Sequence, residues 1–393
     1  MKKYYIGAIA LALLVSGIWT AASRADQTRK SITPLLNASA QYDSNFFKTD
    51  KNEEDVITFL AQPGIEAAVE TERSHLSLYY TLDAYFYDED IDEDLDFIGH
   101  TLRFDAGTMS RSKRLKLRLK DDYKRSRDQS YTDYLTTSTN RAEYGINIFN
   151  PEVQYIFGNA VLGLGYKNVL INYDNGDDLS GEDSTENRGI GRIDYNLDMR
   201  NSLGAEFEYW KMDYDKHSID YDAWQGKALY TRRGKLFSLN AGAGYQDREF
   251  DSQLDDIDKF VGHIAIGGTR GGSSFTVRAD RNLNVDGDNN NQYYTTNKLS
   301  IKLEHTLDNS DLKLGLLGSA QNSDYEFINR EDDIYRIEGS AEQPLFHWLN
   351  LSLRAGYEKN DSDKDVNDYD NVYGMVMLGF IKPIGSGKPV ISN

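Results

Sequence analysis

The chain has 393 residues and a formal charge of −19; 39% of its residues are hydrophobic, 12% are aromatic and none is cysteine. The charge excludes nucleic acid as a partner, and the lack of cysteine excludes a disulfide framework. Beyond the N-terminal segment no apolar run approaches the roughly 18 residues of a membrane helix, and no Pro-rich or Gly/Ser-rich linker divides the chain.

The N-terminal segment, "MKKYYIGAIALALLVSGIWTAASRA", sets Lys2 and Lys3 before an apolar run of about fourteen residues, then Ser23 and Ala25 ahead of a cut after Ala25. Residues 1–25 therefore read as a secretory signal peptide. Residues 26–34 read as a short periplasmic segment.

From Leu35 to Phe380 a two-residue period recurs. In "HLSLYYTLDAYF", Leu76, Leu78, Tyr80, Leu82, Ala84 and Phe86 share one face, with Ser77, Tyr79, Thr81, Asp83 and Tyr85 on the other. "NKLSIKLEH" and "LNLSLRAGYE" repeat the pattern. The template places strands starting near Leu35, Val56, His75, Phe97, Leu115, Arg141, Ala160, Arg188, Ser202, Tyr221, Phe237, Lys259, Ser273, Tyr294, Asp311, Ile334, Trp348 and Asn371. Their spacing of roughly 20 residues fits strands of ~9 to 11 residues plus connections.

Those connections alternate in kind. Short, often basic ones such as "MSRSKR", "FGNA" and "TRGGS" take turns with long acidic ones such as "DEDIDEDLD", "DNGDDLSGEDSTEN" and "NDSDKDVNDYDN". Tyr precedes the acids repeatedly, as at Tyr42-Asp43, Tyr87-Asp88, Tyr173-Asp174 and Tyr214-Asp215. A soluble propeller or sandwich also alternates, but it explains neither the one-sided loops nor the leader. The expected fold is all-β: a transmembrane up-and-down antiparallel barrel of about 18 strands over residues 35–380, with short periplasmic turns, long acidic external loops and aromatic girdles. Residues 381–393 form a C-terminal tail. One strand resists: in "LKLRLKDDYK", Asp121 continues the face of Leu115, Leu117 and Leu119, so a bulge or an early exit from lipid is needed there.

If the apolar face meets lipid, the other lines a wet, charged lumen. That set is Glu66, Arg103, Lys116, Arg118, Arg192, Asp194, Glu206, Glu208, Arg278, Asp280, Lys302, Glu304, Arg336, Glu338 and Arg354. More than half of these are expected to pair across neighbouring strands. The loop near Arg125 to Asn140 is the longest and the candidate for folding inward, although its composition suits the outside.

No enzyme motif is present, and no cofactor or metal is called for. "NLNVDGDNNNQY" puts Asn282, Asn284, Asp286 and Gly287 in calcium-loop spacing, but Tyr293 stands where a bidentate Glu is required. His217, among Asp213, Asp215 and Asp220, is the one candidate for rim chemistry, and an exposed loop histidine is the commoner case.

"NASAQYDSNFF" ends a first strand in Tyr42, Asp43 and Asn45 followed by Phe46 and Phe47. In this step and in the meander that follows, the chain resembles the outer-membrane β-barrel porin family associated with exopolysaccharide synthesis and export in Gram-negative bacteria. The resemblance implies a passive export channel, with outer-membrane lipid and lipopolysaccharide, a polysaccharide and periplasmic export machinery as partners. The residues leave two other readings open: a general or cation-preferring porin for small solutes, which an acidic mouth favours, and a surface adhesion or structural barrel whose loops bind divalent ions.

Overall fold

The computed structural model describes residues 28–88, 96–127, 143–173, 182–215, 218–251, 254–285, 292–381 and 384–385. The expected leader, most of the Arg125–Asn140 loop, His217, Asp286 and Gly287 lie outside these residues. The strands are β1 (Arg29–Asp43), β2 (Val56–Glu70), β3 (Ser74–Tyr87), β4 (Phe97–Met109), β5 (Leu115–Ser126), β6 (Tyr144–Phe157), β7 (Ala160–Tyr173), β8 (Ser184–Asn196) and β9 (Asn201–Tyr214). They continue as β10 (Tyr221–Arg233), β11 (Phe237–Phe250), β12 (Ile257–Arg270), β13 (Ser273–Val285), β14 (Tyr293–Thr306), β15 (Lys313–Tyr325), β16 (Glu331–Phe346), β17 (Leu349–Ser362), β18 (Tyr369–Ile381) and the short β19 (Ile384–Gly385).

Each of the first eighteen strands pairs antiparallel with its sequence neighbours, and β18 returns to β1 in register from Leu35↔Ile381 to Asp43↔Tyr373. Closure leaves no free edge, which is the condition for placing strand backbone in lipid. The pairing reaches further than the alternation suggested. Arg29 to Pro34 pair with Glu70 to Ile65 of β2, so most of the expected N-terminal segment is strand. Ile384 and Gly385 pair with Ile32 and Ser31, so the sheet also enters the expected tail.

The first eighteen strands span from 12 residues in β5 to 16 in β16, more than the ~9 to 11 that cross a bilayer. On strands such as β9 and β11 the excess lies at the long-loop end, where the polarity of the two faces inverts. On β9 the outward Leu203, Phe207 and Tyr209 are exposed and give way to Lys211 and Asp213, while the inward Trp210 and Met212 are buried. On β11 outward Tyr245 gives way to Asp247 and Glu249, while inward Arg248 and Phe250 are buried. Outward rings mark the boundary, with Trp224 6.3 Å from both Phe207, on which it stacks, and Tyr245, to which it is tilted. At the opposite rim Trp348 stacks 5.4 Å from Phe346 and 5.7 Å from Phe380. The barrel thus projects beyond the lipid as a collar that is charged outside and that buries Trp210, Met212 and Phe250 beside Arg248 within.

Connections at one end run from two to six residues, and at the other from five to seventeen. Several acidic stretches that read as long loops are therefore partly collar strand. Two of the tightest turns begin with Gly158 and Gly271, at φ of 57° and 58°, a conformation that a side chain disfavours at the first position of a II′ hairpin. The doubtful strand, β5, runs unbroken from Leu115↔Tyr155 to Ser126↔Tyr144. Its Asp121 accepts a hydrogen bond from Asn147 Nδ2 on β6 at 2.8 Å. The acid is thus accommodated by a polar partner on the next strand, without a bulge.

Candidate channel and its inner wall

Inward faces of strands around the barrel enclose a cavity of about 1680 Å³. Its lining includes eleven Lys or Arg residues and eight Asp or Glu residues, a basic excess inside a protein whose formal charge is −19. Of the charges expected inside, Glu66, Arg103, Glu208, Arg278, Asp280 and Arg336 line this cavity. Lys116, Arg192, Asp194 and Glu206 line a second hollow of about 560 Å³ toward the short-turn end. By the two-residue period, Arg118, Lys302, Glu338 and Arg354 share strand faces with the cavity-lining Lys120, Ser300, Arg336 and Glu358. Glu304 ends the face of Lys302 at the rim, where it also borders an external groove.

Most of these charges neutralise one another. Arg188 Nε donates to Glu186 at 2.9 Å and Nη1 to Glu208 at 2.7 Å; Arg192 Nε donates to Asp194 at 2.7 Å and Nη1 to Glu206 at 3.3 Å. Arg118–Asp105 (2.7 Å), Arg278–Asp280 (2.6 Å), Lys302–Glu304 (3.2 Å) and Arg336–Glu338 (2.6 Å) extend the pattern round the wall. Arg103 stacks on Tyr79, with 5.4 Å to the ring centroid. Among the described residues, Glu66, Lys116 and Arg354 have no ion-pair partner. Partly exposed pairs of this kind are each worth under about 1 kcal/mol, so their main effect is electrostatic: they leave a wall with few uncompensated charges.

The lumen is less uniformly wet than its charges imply. Tyr144, Ile146, Val169 and Ile171 form one buried apolar cluster on β6 and β7, and Phe46 and Val56 form another. A larger one gathers Trp210, Met212, Tyr221, Ala223, Phe250, Ile257, Leu283 and Tyr293. It exists because the outer corner of β13 and β14 is tucked into the barrel.

Pairing between β12 and β13 stops at Gly262↔Arg281, although β12 still pairs with β11 out to Ile257. Beyond that point Asn282, Leu283, Asn284 and Val285, successive residues that a flat strand would point to opposite sides, all line the cavity. Tyr293 docks 4.8 Å from the Phe250 ring and 5.9 Å from Tyr221, and Phe327 packs 6.0 Å from both Phe250 and Tyr293. The opened seam is repaired from both sides. Arg281 Nε donates to the Phe260 carbonyl of β12 at 3.1 Å, and Glu326, from the β15–β16 connection, reaches Lys259 at 2.8 Å. Among the described residues an inward constriction is supplied by this hairpin; most of the Arg125–Asn140 loop, the candidate for folding inward, lies outside them.

Arg248 lies within the aromatic docking site, 4.4 Å from the Tyr221 ring centroid and 4.9 Å from that of Tyr293. Burial pushes the phenols of Tyr214 and Tyr293 well above their usual range. Sequence reasoning missed this arginine because "DREFD" reads as loop.

The family-like step at the end of β1 has a structural role. Tyr42 faces outward, while Asp43 is buried and accepts from Gln41 Nε2 at 2.8 Å and from Asn371 Nδ2, on β18, at 3.1 Å. The Asn45 main-chain N–H donates to Asn371 Oδ1 at 3.2 Å, and the Asn45 side chain closes a turn on Thr49 at 2.8 and 3.0 Å. Phe46 packs edge-on to Phe47 and Tyr87 at 5.1 and 5.6 Å. These residues lock the seam where the first strand meets the last. Asn282 and Asn284 of the calcium-like spacing lie on β13, and Tyr293 is fully buried. Among the described residues no group of three or more His, Asp or Glu side chains is placed to hold a metal ion.

A closed antiparallel barrel with an apolar outer band and a charged inner cavity defines the class: an outer-membrane channel protein. The model of the family described as "Putative beta-barrel porin 2" matches residues 31–380. The chain belongs to this family, whose members are channels and not enzymes.

Among solved structures, the chain resembles OccAB4 of Acinetobacter baumannii at 10% identity and a TM-score of 0.52, covering 91% of this chain and 99% of that one. It also resembles OccK2 (OpdF) of Pseudomonas aeruginosa in complex with glucuronate at 9% identity and a TM-score of 0.54, covering 92% and 99%. A BenF-like porin from Pseudomonas fluorescens Pf-5 matches at 10% identity and a TM-score of 0.52, covering 92% and 100%. At these identities the likeness concerns the fold. No curated protein matches the chain.

Proposed function

We propose that the protein, secreted by way of residues 1–25, is a passive outer-membrane channel for small hydrophilic solutes. The observation that carries this reading is the inward-tucked corner of β13 and β14, which narrows the outer part of an eighteen-stranded bore. A barrel of this strand number left unobstructed has room for a wide aqueous channel; the tucked corner suits sugars and organic acids better than a moving polymer chain. The basic excess of the lining also weighs against a preference for cations, despite the acidic collar. The solved barrels of the same fold include one described with glucuronate and one with vanillate, both small carboxylates.

Swelling of liposomes containing the refolded protein tests the size limit. Glucose is expected to enter faster than sucrose, and the tetrasaccharide stachyose hardly at all. Entry of stachyose at the rate of glucose would instead favour polysaccharide export, as would loss of released polysaccharide on deleting the gene.

A further inference from the structure

We infer that Arg248 is an anion-binding station in the outer lumen, which takes a single carboxylate of a passing solute. Arg248 is only 3% exposed and lines the cavity. Its Nε and Nη1 are buried without an acceptor, and among the described residues its guanidinium makes neither a hydrogen bond nor an ion pair. One turn of the strand repeat inward, Gln246 is 5% exposed, lines the same cavity and has a buried Nε2 that is likewise without an acceptor.

Two carboxylates on nearby connections are otherwise engaged. Asp220 accepts from the Tyr214 main-chain N–H at 2.7 Å, and Glu182 accepts from the Ser218 N–H and hydroxyl at 2.9 and 2.6 Å. An arginine held out of water with no counter-charge is an expensive arrangement, and the faces of Tyr221 and Tyr293 offset only part of that cost. The two rings stand edge to face, 86° apart, with their centroids 4.4 and 4.9 Å from the guanidinium carbon, and they accept none of its N–H groups, which remain as the recognition element. A planar carboxylate matches the Nε–Nη2 edge through two parallel N–H···O bonds, as the wall carboxylates do at Arg188 and Arg192, with the Gln246 amide as a further donor. Neighbouring lumen arginines such as Arg188 and Arg192 already hold carboxylates of the wall, whereas Arg248 is buried without one.

This inference rests on the small-solute reading, so its test separates the two. The full-length refolded barrel is titrated with D-glucuronate, with glucose as the uncharged counterpart. Binding is followed by tryptophan fluorescence, since Trp210 belongs to the same buried cluster, and current block is followed in planar bilayers. Saturable quenching and block by glucuronate, but not by glucose, are expected. Arg248→Gln should weaken both by about tenfold or more, as loss of a charge-assisted pair implies. Arg248→Lys, which keeps the charge and the cavity but not the fork, should fall between and covers the case in which the glutamine variant fails to fold. Unchanged glucuronate affinity in a folded Arg248→Gln or Arg248→Lys barrel overturns the assignment, as does the absence of glucuronate binding by the unaltered protein. Arg248-dependent binding in a barrel that passes no current would instead retain the site and remove the channel.

Discussion

A barrel carrying Tyr293→Ala together with Phe250→Ala is expected to show a several-fold higher single-channel conductance than the unaltered protein, and to migrate on gels as an assembled barrel. The two rings sit 4.8 Å apart at the centre of the contact that holds the β13–β14 corner against β10 and β11. Truncating a well-packed aromatic ring costs about 3 to 5 kcal/mol, and Arg248 would also lose its stacking on Tyr293, worth about 1 to 2 kcal/mol. The corner then keeps only the smaller apolar contacts of Leu283, Val285 and Phe327, the Lys259–Glu326 pair at 2.8 Å and the Arg281 bond to the Phe260 carbonyl at 3.1 Å. The hairpin keeps its own register from Val285↔Tyr293 onward, so the barrel should persist while its constriction loosens. Unchanged conductance in a folded double variant would show that the corner does not limit flow.

Ile301→Arg is expected to destabilise the barrel by about 2 to 4 kcal/mol in lipid, the cost of a charged side chain near the bilayer midplane. Ser300→Arg, one residue away, should be nearly neutral. Ile301 is exposed on the outward face between Leu299 and Leu303, whereas Ser300 lines the cavity. Unfolding in denaturant with the protein held in vesicles measures the difference. Equal losses at both positions would mean that the two faces do not see different solvents.

The strand positions were legible because a barrel needs only a period of two, and segments such as "NKLSIKLEH" carry it without interruption. The lumen charges were legible for the same reason, since Glu206 and Glu208 fall between Ala205, Phe207 and Tyr209. Above the lipid the period continues but its phase reverses: in "YWKMDY" the apolar residues point in and the charges out. A reader expecting apolar residues outside does not look for an inner wall there, which is how Trp210 and Met212 were passed over, and takes "DREFD" for loop, which is how Arg248 was. The tucked corner left a fainter trace. Arg281 occupies the lipid-facing phase of its strand, and Tyr293 and Tyr294 stand side by side where a strand with one polar face would place a single aromatic. Its geometry depends on contacts with β10 and β11, more than thirty residues earlier in the chain, and no local pattern encodes those.

The account depends on lipid touching one face of every strand and solute the other. Single cysteines placed in turn from Lys298 to Leu303 on β14, labelled with bimane and reconstituted in vesicles of brominated phospholipid, read this out residue by residue. Strong quenching at 299, 301 and 303 with little at 298, 300 and 302 is the predicted outcome, and quenching without alternation, or none at all, would contradict it.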